Sequence, residues 1–389
     1  NRRPSRCKRD ALPTAPSAPT SQRYWTIADA VPLTGENRVF ASLGLDALRR
    51  AVNPGLKALL EVAQISTKRP PNSTEVAFRI APRINAAGRM DVARDVIELF
   101  SVKDADRARL LAGKLDRLNA ERQEEERRIL LSIEERIAGD PALCEAYCIV
   151  VDGEGWHRGV IGIAATRIVE RYHRPAIVIS SDGEEAFGSG RSIRPFHLLE
   201  AVEFSSRLFT RYGGHSHACG FAMPSANVAQ LRAEVDAFAR TRLTTADFDP
   251  VLDVEAELDL SEVTPALFQM LSLLEPYGTG NHEPAFTARN VQLIAPPKIL
   301  KDKHIKLKLK SNESAQLRTV FDALGWNMAE RLQQSPLLAG DAIDIAFTIG
   351  HNDHPDFGGL ELTLRDFKSE KKASEETRKN LTFASPITD

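Results

Sequence analysis

Short uninterrupted apolar runs flank a helical pattern in the middle of the chain, and strictly alternating runs follow towards its end. Residues 146–151 (AYCIVV) and 175–180 (PAIVIS) predict buried strands, and Val160 to Tyr172 between them has helical spacing. Two strands joined by a helix are normally parallel, with a right-handed connection. Gly153, Gly155, Trp156 and His157 then fall at the carboxyl end of the first strand, where α/β sheets collect ligands. His157 and Trp156 fit a crevice-facing role and a buried structural one equally. A helix from Asn227 to Leu243 closes this segment.

Upstream, TIADAVPL is a strand-like run ending at Asp29 and Pro32, and Arg38 to Leu60 is helical with a break at Asn53-Pro54-Gly55. Glu75 to Ile80 has strand character and leads into APRINAAGRM, a surface loop before a helix from Asp91 to Phe100. From Lys103 to Ile137 there is no proline and a single glycine, Gly113. Leu111, Leu115 and Leu118 mark one face, which Ile129, Ile133 and Ile137 resume after a charged interval. Such a helix suits a strut of roughly 50 Å between two domains, its charged middle a solvated face with pairs three and four apart.

Residues 244–250 predict a linker. Beyond it, short strands with turn signals and one helix suggest a small β-barrel of the OB kind. The run HIKLKLK alternates strictly, which sets Lys306, Lys308 and Lys310 on one face and the apolar residues on the other. A lysine-faced strand fits a solvated edge that resists aggregation, and equally a track for a single-stranded phosphate backbone. Phe321 and Trp326 fit either base stacking or the core.

With 389 residues and 42% hydrophobic content, two or three domains are expected. A net charge of −2 restricts any nucleic-acid contact to local patches. The four cysteines (Cys7, Cys144, Cys148, Cys219) form no CxxC pair, which points to reduced buried thiols in a cytoplasmic protein. No apolar stretch reaches about 18 residues, so no membrane span is expected. Residues 1–24, rich in Pro, Ser, Thr and Arg with Asp10 the only acid, predict a disordered leader, and residues 368–389 a disordered tail. A first residue of Asn suggests a fragment or a processed product.

Candidate chemistry gathers between Gly188 and Gly220. Ser189, Arg191 and Ser192 stand among glycines, and His215 follows Gly213 and Gly214. Hydroxyls, a guanidinium, an imidazole and bare N–H groups could converge there on one anion. Gly-Gly-His alone fits a plain turn as well. Arg83, Asn85 and Arg89 flank small residues, as contacts to a polyanion backbone require, or simply line a surface loop. Asp29, after a strand-like run, fits a metal ligand or a turn residue.

In order and spacing, TIADAVPLTGENR, PRINAAGRM followed by LNAERQ, GWHRGVIGIAATRI, GSGRS, YGGHSHACGF and EPYGTGNHEPAF resemble the RecJ family, single-strand-specific 5′→3′ DNA exonucleases of the DHH phosphoesterase group. The resemblance covers about Thr26 to Phe367. It implies an α/β chain with an appended β-barrel: part of a DHH domain (25–102), a connecting helix (103–140), a DHH-associated domain (141–245) and an OB-like domain (250–367). It also implies two Mn²⁺ or Mg²⁺ ions, single-stranded DNA as substrate, a role in DNA repair and recombination, and a monomer in the cytoplasm. Asp29 matches the last metal ligand, while the earlier ligand motifs have no counterpart and Trp25 replaces a usual glycine. The match assigns phosphate binding to Ser189, Arg191 and Ser192, and substrate contact to Gly213, Gly214 and His215, with His215 also catalytic. Arg83, Asn85 and Arg89 are assigned to the strand or to support of the site, and Lys306, Lys308 and Lys310 to the strand. An amino-terminally truncated chain that cleaves nothing alone is therefore expected, with a non-catalytic single-strand-binding module as the alternative.

Overall fold

The structure, a computed structural model, describes residues 26–90, 93–311, 320–352 and 358–369. The expected leader, Trp25, Cys7 and the tail beyond Ser369 lie outside the described residues. The chain forms two compact units. One runs from Gly35 to Val251 with the segment before Pro32; the other holds Pro32–Thr34 and the chain from Leu252 onward.

The first unit begins with helices α1 (Gly35–Arg49) and α2 (Pro54–Val62). Asn53 caps α2 by accepting from the Leu56 amide at 2.9 Å, with Pro54 in the first turn where its missing N–H costs nothing. The predicted strand at 75–80 is instead helical. Ser73–Glu75 passes through a π-helical turn, Val76–Ile80, into α3 (Ala81–Met90), so APRINAAGRM is a helix and not a loop. The widened turn, closed by Ala81 N–H to the Val76 carbonyl, immediately precedes Pro82, which has no N–H to give. The strand-like run at 26–32 likewise becomes one helical turn followed by a bend.

After α4 (Arg94–Ser101) comes α5 (Ala105–Gly139), 35 residues long and capped by Asp104 on the Arg107 amide. Leu111, Leu115 and Leu118 are buried in its first half; Ile129, Ile133 and Ile137 of its second half join the core against one face of the α/β sheet. Burying each such isoleucine contributes roughly 1.5–3 kcal/mol, which fixes the rotation of α5 on the sheet.

That sheet holds β1 (Ile149–Glu154), β2 (Ala176–Asp182), β3 (Glu185–Arg191), β4 (Arg211–His215) and β5 (Ala218–Pro224), in the order β1-β2-β3-β5-β4. β1 and β2 are parallel, joined through α6 (Arg158–Tyr172); the remaining pairs are antiparallel. Trp156 is in the core, and His157 caps α6 by accepting from the Gly159 amide. Helices α7 (Leu198–Phe204) and α8 (Val228–Arg242) cover the opposite face around Ile177, Cys219 and Phe221. Cys148 and Cys219 are buried free thiols, whereas Cys144 is exposed.

The second unit contains β6 (Ala256–Glu257), α9 (Pro265–Ser272), β7 (Phe286–Leu293), β8 (Lys298–Leu300), β9 (His304–Lys310), β10 (Val320–Gly325), α10 (Ala329–Gln334), β11 (Ala342–Asn352) and β12 (Gly359–Ser369). β12 continues through 368–369, which the sequence assigned to the tail. The expected β-barrel is corrected here: the strands form an OB-like sheet in the order β6-β7-β11-β12-β10-β9-β8, with two ends. β7 meets β9 at only two residue pairs, Gln292 with Lys310 and Leu293 with Leu309. The other half of that β9 edge is taken by β8, which pairs with residues 304–306, so the sheet curls without closing into a barrel. Ile305, Leu307 and Leu309 are fully buried in its core beside Phe321, Phe347 and Phe367.

Candidate nucleic-acid interface

The glycine-rich segments are strands, not turns. Directly opposite residues in antiparallel strands share a face, and the register of β3, β5 and β4 therefore sets three rows on the face that carries α6. These are Phe187, Ala222, Arg211; Ser189, Gly220, Gly213; and Arg191, Ala218, His215. The centre of each row is Gly or Ala, so the face is a shallow trough floored by small residues. Arg191 and Ser189 wall one side, and Arg211 and His215 the other, two strand spacings or about 9.5 Å away. A side chain built at Gly213 would meet nothing within 4 Å, and one at Gly220 only the Gly188 carbonyl at 3.8 Å, so the floor is open.

Arg191 is held before any ligand arrives. Its Nη1 donates to the Ser189 hydroxyl at 3.2 Å and to the Gly190 carbonyl at 2.8 Å, and its Nη2 lies along α6, 3.3 Å from where a Cβ at Gly162 would sit. Burial lowers its pKa, yet it remains a cation at neutral pH. His215 Nδ1 accepts the His217 amide at 3.3 Å, which leaves Nε2–H as the donor available to an anion. Beneath the floor, burial pushes the Cys219 thiol up to about 12, so it offers no thiolate chemistry.

Beside the trough, α3, α5 and α6 line a groove of about 620 Å³ that includes Asn85, Arg89, Arg122, Glu126 and Arg167 with Phe78 and Leu131. Glu126 is its pivot. It accepts from Arg122 Nη1 at 2.5 Å and from Arg167 Nε at 3.2 Å, while Arg122 Nη2 donates to Asn119 at 2.9 Å. Burial lowers the pKa of Arg89, the neighbouring Arg191 charge adds to this, and Glu126 opposes it. The Arg191 charge of the trough thus bears on Arg89 of the groove. The contact between α3 and α6 is close: Arg89 Nη1 donates to the Gly159 carbonyl at 3.0 Å, and a Cβ at Gly159 would stand 2.3 Å from the Arg89 carbonyl oxygen.

The candidate residues thus divide. Ser189, Arg191, Gly213 and His215 share the trough face, and Gly214 lies between the last two on β4 with φ +152°. Asn85 and Arg89 line the groove, as does Ala28, whose exposed neighbour is Asp29. Ser192 is turned inward, its hydroxyl donating to the Phe196 carbonyl at 2.8 Å. Arg83 ties helices together through Asp116 (2.7 Å) and the Arg79 carbonyl (2.6 Å), which is a supporting position. In the second unit Lys306, Lys308 and Lys310 share the outer face of β9, but Asp322, opposite Lys308 on β10, pairs with Lys306 at 2.7 Å and with Lys308 at 3.6 Å. Phe321 is core and Trp326 is exposed.

Arg122, Glu126, Arg167 and Arg211 went unnoticed in the sequence. The signal for the first two was present: Asn119, Arg122 and Glu126 occupy the register that carries Leu115 on to Ile129 along α5, so the charged interval sits partly on the inward stripe. Among the described residues no group of three His, Cys, Asp or Glu side chains could hold a metal ion, and no helix is long and apolar enough to cross a membrane.

Residues 144–241 match the family model of the DHHA1 domain, and residues 254–366 that of the RecJ OB domain. Among curated proteins the chain is similar to the single-stranded-DNA-specific exonuclease RecJ of Bacillus subtilis, 34% identical over 88% of this chain and 42% of that protein. It is also similar to that of Thermus thermophilus, 42% identical over 67% of this chain and 37% of that protein. The chain thus spans about two-fifths of these relatives. The crystal structure of the Thermus thermophilus RecJ in complex with Mn²⁺ aligns with a TM-score of 0.75 at 32% identity, covering 90% of this chain and 49% of that one; the Mg²⁺ complex aligns equally well.

Proposed function

Because this chain is homologous to the RecJ family of single-stranded-DNA-specific exonucleases, we propose that it belongs to a 5′→3′ exonuclease acting on single-stranded DNA in repair and recombination, and that its described residues supply strand grip and end recognition. The observation that carries this reading is the small-floored trough between Arg191 with Ser189 and Arg211 with His215, open above Gly213 and Gly220. A phosphate entering there meets a pre-set guanidinium, a hydroxyl and an imidazole N–H, and no side chain stands over the floor. Charge-assisted hydrogen bonds from Arg are the strong kind, about 1.5–3 kcal/mol each. Arg89 and Arg191 together favour the extra charge of a terminal phosphate over a diester.

Hydrolysis of a phosphodiester in this family reading uses two Mn²⁺ or Mg²⁺ ions to activate water. The described residues do not fit such a centre, since no group of three His, Cys, Asp or Glu side chains among them, Asp29 included, could hold an ion. No hydrolytic step is therefore routed through this chain, and His215 is assigned a phosphate contact. The reading makes the polypeptide by itself a monomeric, cytoplasmic strand binder without nuclease activity. A non-catalytic single-strand-binding module is the second reading, favoured by the same lack of a ligand cluster.

The test compares 5′-phosphorylated with 5′-hydroxyl oligonucleotides. The intact chain should prefer the phosphorylated strand by on the order of tenfold, and Arg191→Ala should abolish that preference. Equal affinity for the two strands before substitution would remove end recognition. Release of mononucleotides by the chain alone in Mn²⁺ would overturn the assignment of a binding role without chemistry.

A further inference from the structure

Trp326 follows β10 directly, in the turn after Gly325 of the OB-like sheet. It is 56% exposed, whereas Trp156 of the first unit is 4% exposed, and leaving an indole in water forfeits the largest apolar burial a side chain can make. It is nevertheless positioned. The imidazole of His304 meets it nearly perpendicularly, ring centroids 4.9 Å apart and planes at 72°. His304 is itself fixed, its Nδ1 accepting the Asn327 amide at 2.9 Å. A perpendicular contact covers at most one face of the indole, and more than half of the residue stays open to solvent.

His304 opens β9, and by strand alternation it shares a face with Lys306, Lys308 and Lys310. On β8, Leu300 stands opposite His304 and Lys298 opposite Lys306. The aromatic pair therefore terminates a row of cations on one continuous outer face made by β9 and β10, the kind of strand face that OB folds turn to oligonucleotides. A flat apolar ring beside a lysine row matches the two components of an unpaired strand, bases with π faces and a charged backbone.

We propose that Trp326, propped by His304, is a stacking platform for one unpaired nucleobase of a strand whose phosphates follow the lysine row. This rests on the single-strand reading above and adds a base contact to it. Stacking is indifferent to base identity, so the platform supplies affinity for any unpaired strand and none for backbone alone.

The experiment measures binding of the full chain to oligo(dT) and to an abasic strand of equal length and charge. The wild-type chain should prefer oligo(dT) by on the order of tenfold. Trp326→Ala should bring the two affinities close together, Trp326→Phe should keep most of the preference, and both should leave the salt dependence unchanged. Exchanging Lys306, Lys308 and Lys310 for Gln should do the reverse, flattening the salt dependence while keeping the base preference. A wild-type chain with no base preference, or a Trp326→Ala chain whose preference equals that of wild type, overturns the platform while single-strand binding stands. Failure to bind either strand overturns the single-strand reading, and the platform falls with it.

Discussion

The protein carries two cationic surfaces built on opposite plans. In the first unit, guanidiniums are partly buried and locked: Arg122 is 9% exposed and shares Glu126 with Arg167, while Arg191 leans on Ser189. In the second, ammonium groups stand on an open strand, and a single aspartate, Asp322, answers two of them. A planar fork with its geometry set in advance can select one arrangement of oxygens, whereas mobile point charges select only charge density. In the function proposed above, the first surface would recognise a strand end and the second would retain any strand.

The largest effect is expected where the built site depends on backbone touching backbone. In the first turn of α6, Gly159→Ala should gain up to about 1 kcal/mol of helix propensity. Its Cβ would stand 2.3 Å from the Arg89 carbonyl oxygen, and neither backbone can yield as a flexible side chain can. Overpacking of this kind costs about 1–3 kcal/mol or more, so a net loss is predicted, with Tm lowered by several degrees and preference for a 5′-phosphate lost as Arg89 is displaced. A variant at least as stable as wild type, with its end preference intact, would show that this contact does not hold the arginine site.

How far such a site can be seen in a sequence depends on what encodes it. The β1–α6–β2 crossover was legible because parallel strands buried on both faces are continuous apolar runs, and β9 was legible because its lysines alternate with core residues. The strands bearing the trough were not, since Gly188, Gly190, Gly213 and Gly214 all depress strand propensity. Three of them are glycines for tertiary reasons: a Cβ at Gly188 would strike the Phe221 ring at 2.0 Å, one at Gly190 the Cys219 sulfur at 2.7 Å, and one at Gly214 the Ala218 carbonyl at 2.3 Å. The helical path through residues 73–90 was hidden likewise, because VAFRI has strand composition and Pro82 suggests a break, until the π turn before it resolves the conflict. Strand-to-strand closure is longer in range still. Nothing local in β9 says that β8 will occupy half the edge a barrel would need.

Removing one carboxylate from each surface sharpens the comparison. Glu126→Gln leaves Arg122 buried with a neutral partner, which should cost about 1–3 kcal/mol of stability by urea denaturation, because a desolvated cation loses its counter-charge. The same change raises the positive potential around Arg89 and should tighten strand binding several-fold at low salt. Stability equal to wild type would mean that Arg122 is solvated well enough to stand alone, and the distinction between a locked and a loose surface would lose its main support.

Asp322→Asn is the smaller and opposite case. Its carboxylate is a third exposed and its lysine partners are flexible, so the pair should contribute only a few tenths of a kcal/mol and the variant should unfold as wild type does. What changes is the row's net charge. Lys306 and Lys308 become free to neutralise phosphates, and each added contact steepens the salt dependence of single-strand binding by about 0.7 in logarithmic slope. Affinity should therefore rise a few-fold near 50 mM salt and converge on the wild-type value as screening shortens the range of charge. The readout is the slope of affinity against salt for the two proteins. An unchanged slope would mean that the lysines bear on no phosphate, and the second surface would reduce to a solvated strand face.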